Sequence, residues 1–400
     1  MDDRTAAVLR HVSIEETLEL ARALVRIPSI TGEEGRQISH FVLGWLTANG
    51  LNAGEQVITD DRANVWAKVE GTSPGPRLLI NGHLDTKPVS NMTVDPYSAD
   101  VRDGRLYGRG ACDMKSAVAA AMIATRAIKR SGIPLSGTLL FGAEVGEEGG
   151  GWRLIDLIEG PCQCDQIICC EPTDLDAHLG ARGGFPIQVS TRGLATHTGM
   201  AYKGINAIQK MAKVIEAMYA MPCFHHVDPI WGRSPINAQE IHGGGKVTAS
   251  VADDCDVFFD IRLNPDLPPS RLKAELETLF EKLKAEDPQL DVSYTFRGLG
   301  TGAGMSTERG LSATYTPPEN PLVKAVVDGA EVATGLRPGY FGFPGGCSAG
   351  VLQRRGVDGV IIGPGNLEQA HGAVEWIEVE QIGRAARIYA AAIARALAPT

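Results

Sequence analysis

Arg77-Leu78-Leu79-Ile80-Asn81-Gly82-His83-Leu84-Asp85 is the stretch that decides the fold of this 400-residue chain. Its apolar run is continuous rather than alternating, which suits a strand in a sheet covered on both faces. The run ends on a histidine and an aspartate, and open α/β sheets gather their sites at the carboxyl ends of strands. The same rhythm continues on either side. Ile14 to Val25 carries apolar residues at helical spacing, and Glu33 to Asn49 is a second helix closed at Gly50. Asn64 to Val69, Thr138 to Ala143 and Gln166 to Cys170 read as further short strands, and Met114 to Arg130 as an alanine-rich helix. Strands alternating with helices of this length predict an α/β sheet covered by helices.

The rhythm changes after Arg182. Phe185 to Thr191 and Val251 to Arg262 alternate like half-exposed strands, Gly204 to Tyr219 and Ser270 to Ala285 are helical, and Asp291 to Phe296 is a last strand. This run predicts an α+β insert with a mostly open sheet. From Pro321 the first rhythm returns, with a helix at Leu322 to Thr334, a strand at Val357 to Ile362 and a final helix from Val379. The economical division is a catalytic domain of residues 1–180 and 299–400, interrupted by a smaller lid of residues 181–298.

Composition narrows the function classes. The formal net charge is -10, and no lysine/arginine run or basic stripe is present, so neither nucleic acid nor an anionic membrane is an expected partner. Met1-Asp2-Asp3-Arg4 is acidic where a signal peptide is basic, and the longest apolar stretch, Ala117 to Thr125, is too short to span a bilayer. The eight cysteines show no zinc-site spacing and read as small buried thiols of a cytoplasmic protein.

Five loops or strand ends each carry one histidine or carboxylate. His83 follows the first strand. Asp113 lies in the glycine-rich Gly108-Arg109-Gly110-Ala111-Cys112-Asp113-Met114-Lys115, where on its own it reads first as a helix N-cap. Glu148 stands beside Glu147 among four glycines, and adjacent carboxylates repel unless a cation or proton intervenes. Glu171 ends the Ile167-Ile168-Cys169-Cys170 run, and His371 lies in the loop opened by Gly363-Pro364-Gly365. Each alone has a bland reading as a cap or a solvated turn. Together, two histidines and three carboxylates suffice to hold two zinc-like ions with one carboxylate shared, leaving Glu147 as a base.

In this order the motifs resemble the metallopeptidase family of acetylornithine deacetylase, succinyl-diaminopimelate desuccinylase, aminoacylase-1 and bacterial glutamate carboxypeptidase. The matching pieces are Gly82-His83-Leu84-Asp85, Gly108 to Lys115, Glu147-Glu148, Glu171-Pro172-Thr173 and the His371 loop. The resemblance implies a zinc-exopeptidase-like three-layer α/β catalytic domain with an inserted α+β lid that dimerises. It implies His83 and Glu171 on one metal, Glu148 and His371 on the other, and Asp113 between them. Asp85 would orient His83, and Glu147 would be the general base and acid. Gly193-Leu194-Ala195-Thr196-His197-Thr198-Gly199 is similar to the family's lid histidine motif, whose histidine steadies the tetrahedral intermediate. Arg182 and Arg262 resemble positions that hold a substrate carboxylate, and Gly345-Gly346-Cys347-Ser348 resembles a substrate-facing loop.

Three departures concern the substrate more than the metals. Gly146 stands where the family often has aspartate, Thr248 to Asp253 lacks the usual asparagine and proline, and Cys347 replaces a more typical threonine. The expectation is a homodimeric amidohydrolase using two divalent ions, zinc with cobalt or manganese as alternatives, on an N-acyl amino acid or peptide-like small molecule. A dipeptidase or aminopeptidase of the same fold is the nearest competitor, and a non-catalytic metal-binding protein the one from another class.

Overall fold

The structure, a computed structural model, describes residues 2–151, 153–297 and 310–399. The chain forms two compact units, Met1–Ala181 with Tyr315–Thr400, and Arg182–Thr314. The domain limit expected at 298/299 lies outside the described residues.

The first unit is mixed α/β, built on an eight-stranded sheet. Its strands lie in the order Asn52–Thr59, Arg62–Glu70, Ser136–Glu144, Ser73–His83, Gln166–Cys169, Asp358–Ile361, Ala177–Ala181, Tyr340–Phe343. The four from Ser136–Glu144 to Asp358–Ile361 are mutually parallel. Their carboxyl ends, at Glu144, His83, Cys169 and Ile361, therefore open on one edge, and the loops carrying His83, Glu147-Glu148, Glu171 and His371 leave from it. Leu78, Leu79 and Ile80 are fully buried, as their continuous apolar run requires. Each such side chain stabilises the fold by roughly 1.5–3 kcal/mol relative to exposure.

The Asp113 segment reaches the same edge differently. Ala111–Lys115 is a π-helical turn in which Asp113 and Met114 leave helical backbone angles, and Ser116–Ser131 continues from it as an α-helix. That helix is buried over almost its whole length, which its alanines permit by keeping every face thin. Helices Pro321–Thr334 and Val379–Ala396 complete this layer, and Ile14–Val25 starts at Ser13, whose side chain accepts from the Glu16 amide.

The second unit is an α+β body. Its main sheet runs Ile236–Gly244, Asp254–Leu263, Ile187–Arg192, Asp291–Phe296, and neighbouring strands are antiparallel. Helices Ala207–Tyr219 and Pro269–Glu286 pack on it through Met211, Val214, Leu272 and Leu276, against Ile187, Val189, Val257 and Phe259. Gly204, expected to open the first helix, precedes it, and Asn206 is the N-cap. Among the described residues no helix is long and apolar enough to cross a membrane.

Candidate metal centre

At the carboxyl edge of the first unit, the five residues from distant parts of the chain converge. His83 ends its strand with only 2% of its side chain exposed. Its Nδ1 lies 2.9 Å from the Asp85 carbonyl oxygen and its Nε2 3.0 Å from Asp113 Oδ1. Asp113 Oδ2 is 3.2 Å from His371 Nε2, which is also 3.0 Å from Glu148 Oε1. Asp113 thus stands between two imidazoles, one on each carboxylate oxygen. Donor atoms of His83, Asp113 and Glu148 lie within 4.8 Å of one another, as do those of His83, Glu147 and Glu171.

Both ring nitrogens of His83 face acceptors. Burial disfavours its charged form, but the Asp113 hydrogen bond and the charges of Asp113, Asp85 and Glu147 outweigh this and hold it well above the ordinary histidine range. Hydrogen bonds to Asp113 and Glu148 raise His371 to about 9. Asp113 is depressed despite burial by the hydrogen bonds of both histidines. Burial, followed by neighbouring carboxylates, pushes Glu147 and Glu171 well up. Buried carboxylates crowd one another in this cluster, a repulsion that cations would relieve.

The expected support of His83 by Asp85 takes another form. The Asp85 carbonyl meets the ring, while the carboxylate is 3.7 Å away at Oδ1 and instead accepts the amides of Glu147 at 3.1 Å and Glu148 at 3.0 Å. Asp85 therefore fixes the Glu147-Glu148 turn. Gly146, before that turn, has a φ of +81°, and a Cβ there would stand 2.7 Å from Arg62 Nη2. Arg62 is held in that place by a bidentate pair with buried Glu34. The left-handed backbone favours glycine at this position.

Cys347 is packed in an apolar cluster beside Cys169, and the Ser348 hydroxyl donates to Glu144, so both side chains face inward and only Gly345 and Gly346 of that loop are accessible. Neither the Cys347 nor the Ser348 side chain is exposed in this conformation. His197, Arg182 and Arg262 belong to the second unit. His197 is exposed, and its Nδ1 accepts the Gly199 amide at 3.1 Å. Arg182 donates to the Trp231 carbonyl, while Arg262 pairs with Asp260 at 2.9 Å. Unlike Arg262, Arg182 faces no carboxylate among the described ion pairs.

Sequence reasoning passed over several groups around the centre. Lys87 pairs with Glu148 Oε2 at 3.1 Å. Lys115 is fully buried beneath the Asp113 turn, its Nζ donating to the Ile27 carbonyl, and burial lowers it to about 7. Arg109 and Glu375 form a buried ion pair at 2.7 Å. The only signal in the sequence was position, Arg109 inside the glycine-rich loop and Glu375 four residues after His371.

A profile described as Peptidase family M20/M25/M40 matches residues 79–395. The chain belongs to this family. Among its M20 relatives, the N-formyl-4-amino-5-aminomethyl-2-methylpyrimidine deformylase of Bacillus subtilis (strain 168) is 27% identical, with 92% of this chain and 91% of the relative covered. The acetylornithine deacetylase of Myxococcus xanthus is 28% identical over 95% of this chain and 98% of its own. The crystal structure of aminopeptidase PepT from Bacillus cereus ATCC 10987 has the same fold, with a TM-score of 0.76, 23% identity and coverage of 96% and 99%. Like its relatives, this M20 chain is a hydrolase acting on amide bonds.

Proposed function

We propose that this chain is a dinuclear amidohydrolase that removes the acyl group of an N-acyl amino acid or a related small amide. The observation that carries the reading is the placement of Asp113 between the Nε2 atoms of His83 and His371. In this reading His83 and Glu171 hold one ion, Glu148 and His371 the other, and Asp113 both. Imidazole and carboxylate donors suit zinc, with cobalt or manganese as alternatives. The fit is supported by the surplus of buried carboxylates, whose mutual repulsion divalent cations would relieve. Bound there, such ions supply Lewis acidity towards the substrate carbonyl and make a water acidic near neutral pH.

The protein's own residues do the rest. Glu147, buried and then crowded by Glu148, Asp85 and Asp113, holds a raised proton affinity and takes the proton of the attacking water. The water oxygen bonds to the carbonyl carbon, the C–N bond breaks, and Glu147 returns the proton to the leaving nitrogen. Asp85 keeps Glu147 in place through its amide. His197 would donate to the oxyanion, and Arg182 with Arg262 would bind a substrate carboxylate in bidentate fashion. The curated relatives named for deformylation and deacetylation support an acyl amide over a peptide. The eight free cysteines support a reducing, cytoplasmic setting. Exposed Ile208 and Ile241 on the second unit support a homodimer through that unit, which sedimentation would check.

Glu147→Ala tests the assignment. Turnover should fall by about 10²–10⁴-fold while metal content stays at the wild-type level. Full activity in that variant removes Glu147 as the base. A panel of N-acyl amino acids and free-amine dipeptides separates deacylation from dipeptidase action, since only the latter needs the amine.

A further inference from the structure

Asp113, in the turn Ala111–Lys115, and His371, in a loop, come from distant parts of the sequence. Asp113 has φ -123° and ψ 95° inside its turn, and His371 adopts a left-handed φ of 59°. The left-handed backbone of His371 persists only where its surroundings hold it. One buried pair touches both segments. Glu375 Oε1 accepts the amides of Cys112 at 3.0 Å and Asp113 at 3.2 Å, and its Oε2 accepts from Arg109 Nη1 at 2.7 Å. Arg109 Nη2 donates to the Pro88 carbonyl and to Asn91 Oδ1, both at 3.0 Å. Asn91 Nδ2 in turn donates to the His371 carbonyl at 3.1 Å. The Glu375 carbonyl accepts the Gly108 amide at 3.1 Å, tying the same two segments a second time.

We infer that Arg109 and Glu375 are a positioning pair that sets the distance between Asp113 and His371, and through it the affinity of the centre for its second ion. The inference rests on the dinuclear reading above. Stability alone does not account for the pair, because apolar residues of similar volume in place of a buried ion pair are often no less stable. What an apolar replacement cannot do is hold the Asp113 amide and, through Asn91, the His371 carbonyl. Partners of this kind outside a ligand set commonly change metal affinity about 10–100-fold.

The test uses the full chain, stripped of metal and titrated with Zn²⁺ against a chromophoric chelator, with Co²⁺ absorption as a second readout. The double variant Arg109→Met/Glu375→Leu leaves the Cys112 and Asp113 amides without their acceptor, so it should melt below the metal-free wild type; where folded, it should bind its second ion about 10–100-fold more weakly and shift the Co²⁺ bands. Glu375→Gln keeps an acceptor for the Asp113 amide, so it should fold even if the double variant does not, and should lose less affinity. Wild-type affinity for both ions with an unchanged Co²⁺ spectrum in Glu375→Gln and in the folded double variant overturns the inference while leaving the dinuclear reading intact. A wild-type protein that binds no ion overturns both.

Discussion

Glu144 shows how a single residue can matter at a site without belonging to its donor set. Its carboxyl is fully buried, accepting from Asn81 Nδ2 at 3.3 Å, the Leu154 amide at 2.7 Å and the Ser348 hydroxyl. Burial raises it to about 7. A folded pKa above the unfolded one means that the folded state holds the proton more tightly. The stabilisation is therefore complete below the ordinary carboxylate range and lost as pH rises through about 7. Glu144→Gln carries no such titration. The stability of wild type relative to this variant should fall by on the order of 2–3 kcal/mol between about pH 5 and pH 8 in urea unfolding. Parallel pH profiles would contradict the buried-acid assignment. Residues of this kind were illegible in the sequence because a lone glutamate or arginine is usually at the surface. His83, Glu148, Glu171 and His371 stood out because each follows an apolar strand whose end is a recognisable place. Arg109, Lys115, Glu144 and Glu375 acquire their roles only once the fold has buried them.

Elements were legible where one face is strongly apolar. Ile14–Val25, Pro321–Thr334 and the central strands of the large sheet lie within a few residues of their expected limits. Asn52–Thr59 and Ile236–Gly244 were not foreseen; both are edge strands whose side chains are half-buried or exposed, so no apolar alternation marks them. Two glycines test the packing of the helices. Gly329 faces Val379–Ala396 so closely that a Cβ would stand 2.8 Å from the Ala392 amide nitrogen. Gly44, in helix Gly35–Ala48, has nothing within 4 Å. Gly329→Ala should destabilise by about 1–3 kcal/mol through overpacking. Gly44→Ala should stabilise by roughly 0.5–1 kcal/mol through helix propensity. Thermal melts moving in the same direction would show that the contact between the two helices does not limit the site.

At the scale of the whole molecule, the sequence pattern distinguished two bodies because the spacing of its elements changes near Arg182, and the structure forms its second unit from Arg182 to Thr314. All five proposed metal donors lie in the first unit, and the residues expected to contact substrate are divided between the two. Metal chemistry was therefore easier to read than substrate choice: ligands follow a strict donor inventory, whereas half-buried arginines and loop glycines do not. Arg182→Ala should raise KM for carboxylate-bearing amides far more than it lowers kcat, and an equal loss in both would place its role in the chemical step. The central claim is that Asp113 joins two ions, one reached by His83 and the other by His371. Metal content per chain, measured by mass spectrometry on protein reloaded with zinc and freed of excess, tests it most directly. The expected result is two ions in wild type and one in His371→Ala; no ion in wild type, or two retained in His371→Ala, would contradict it.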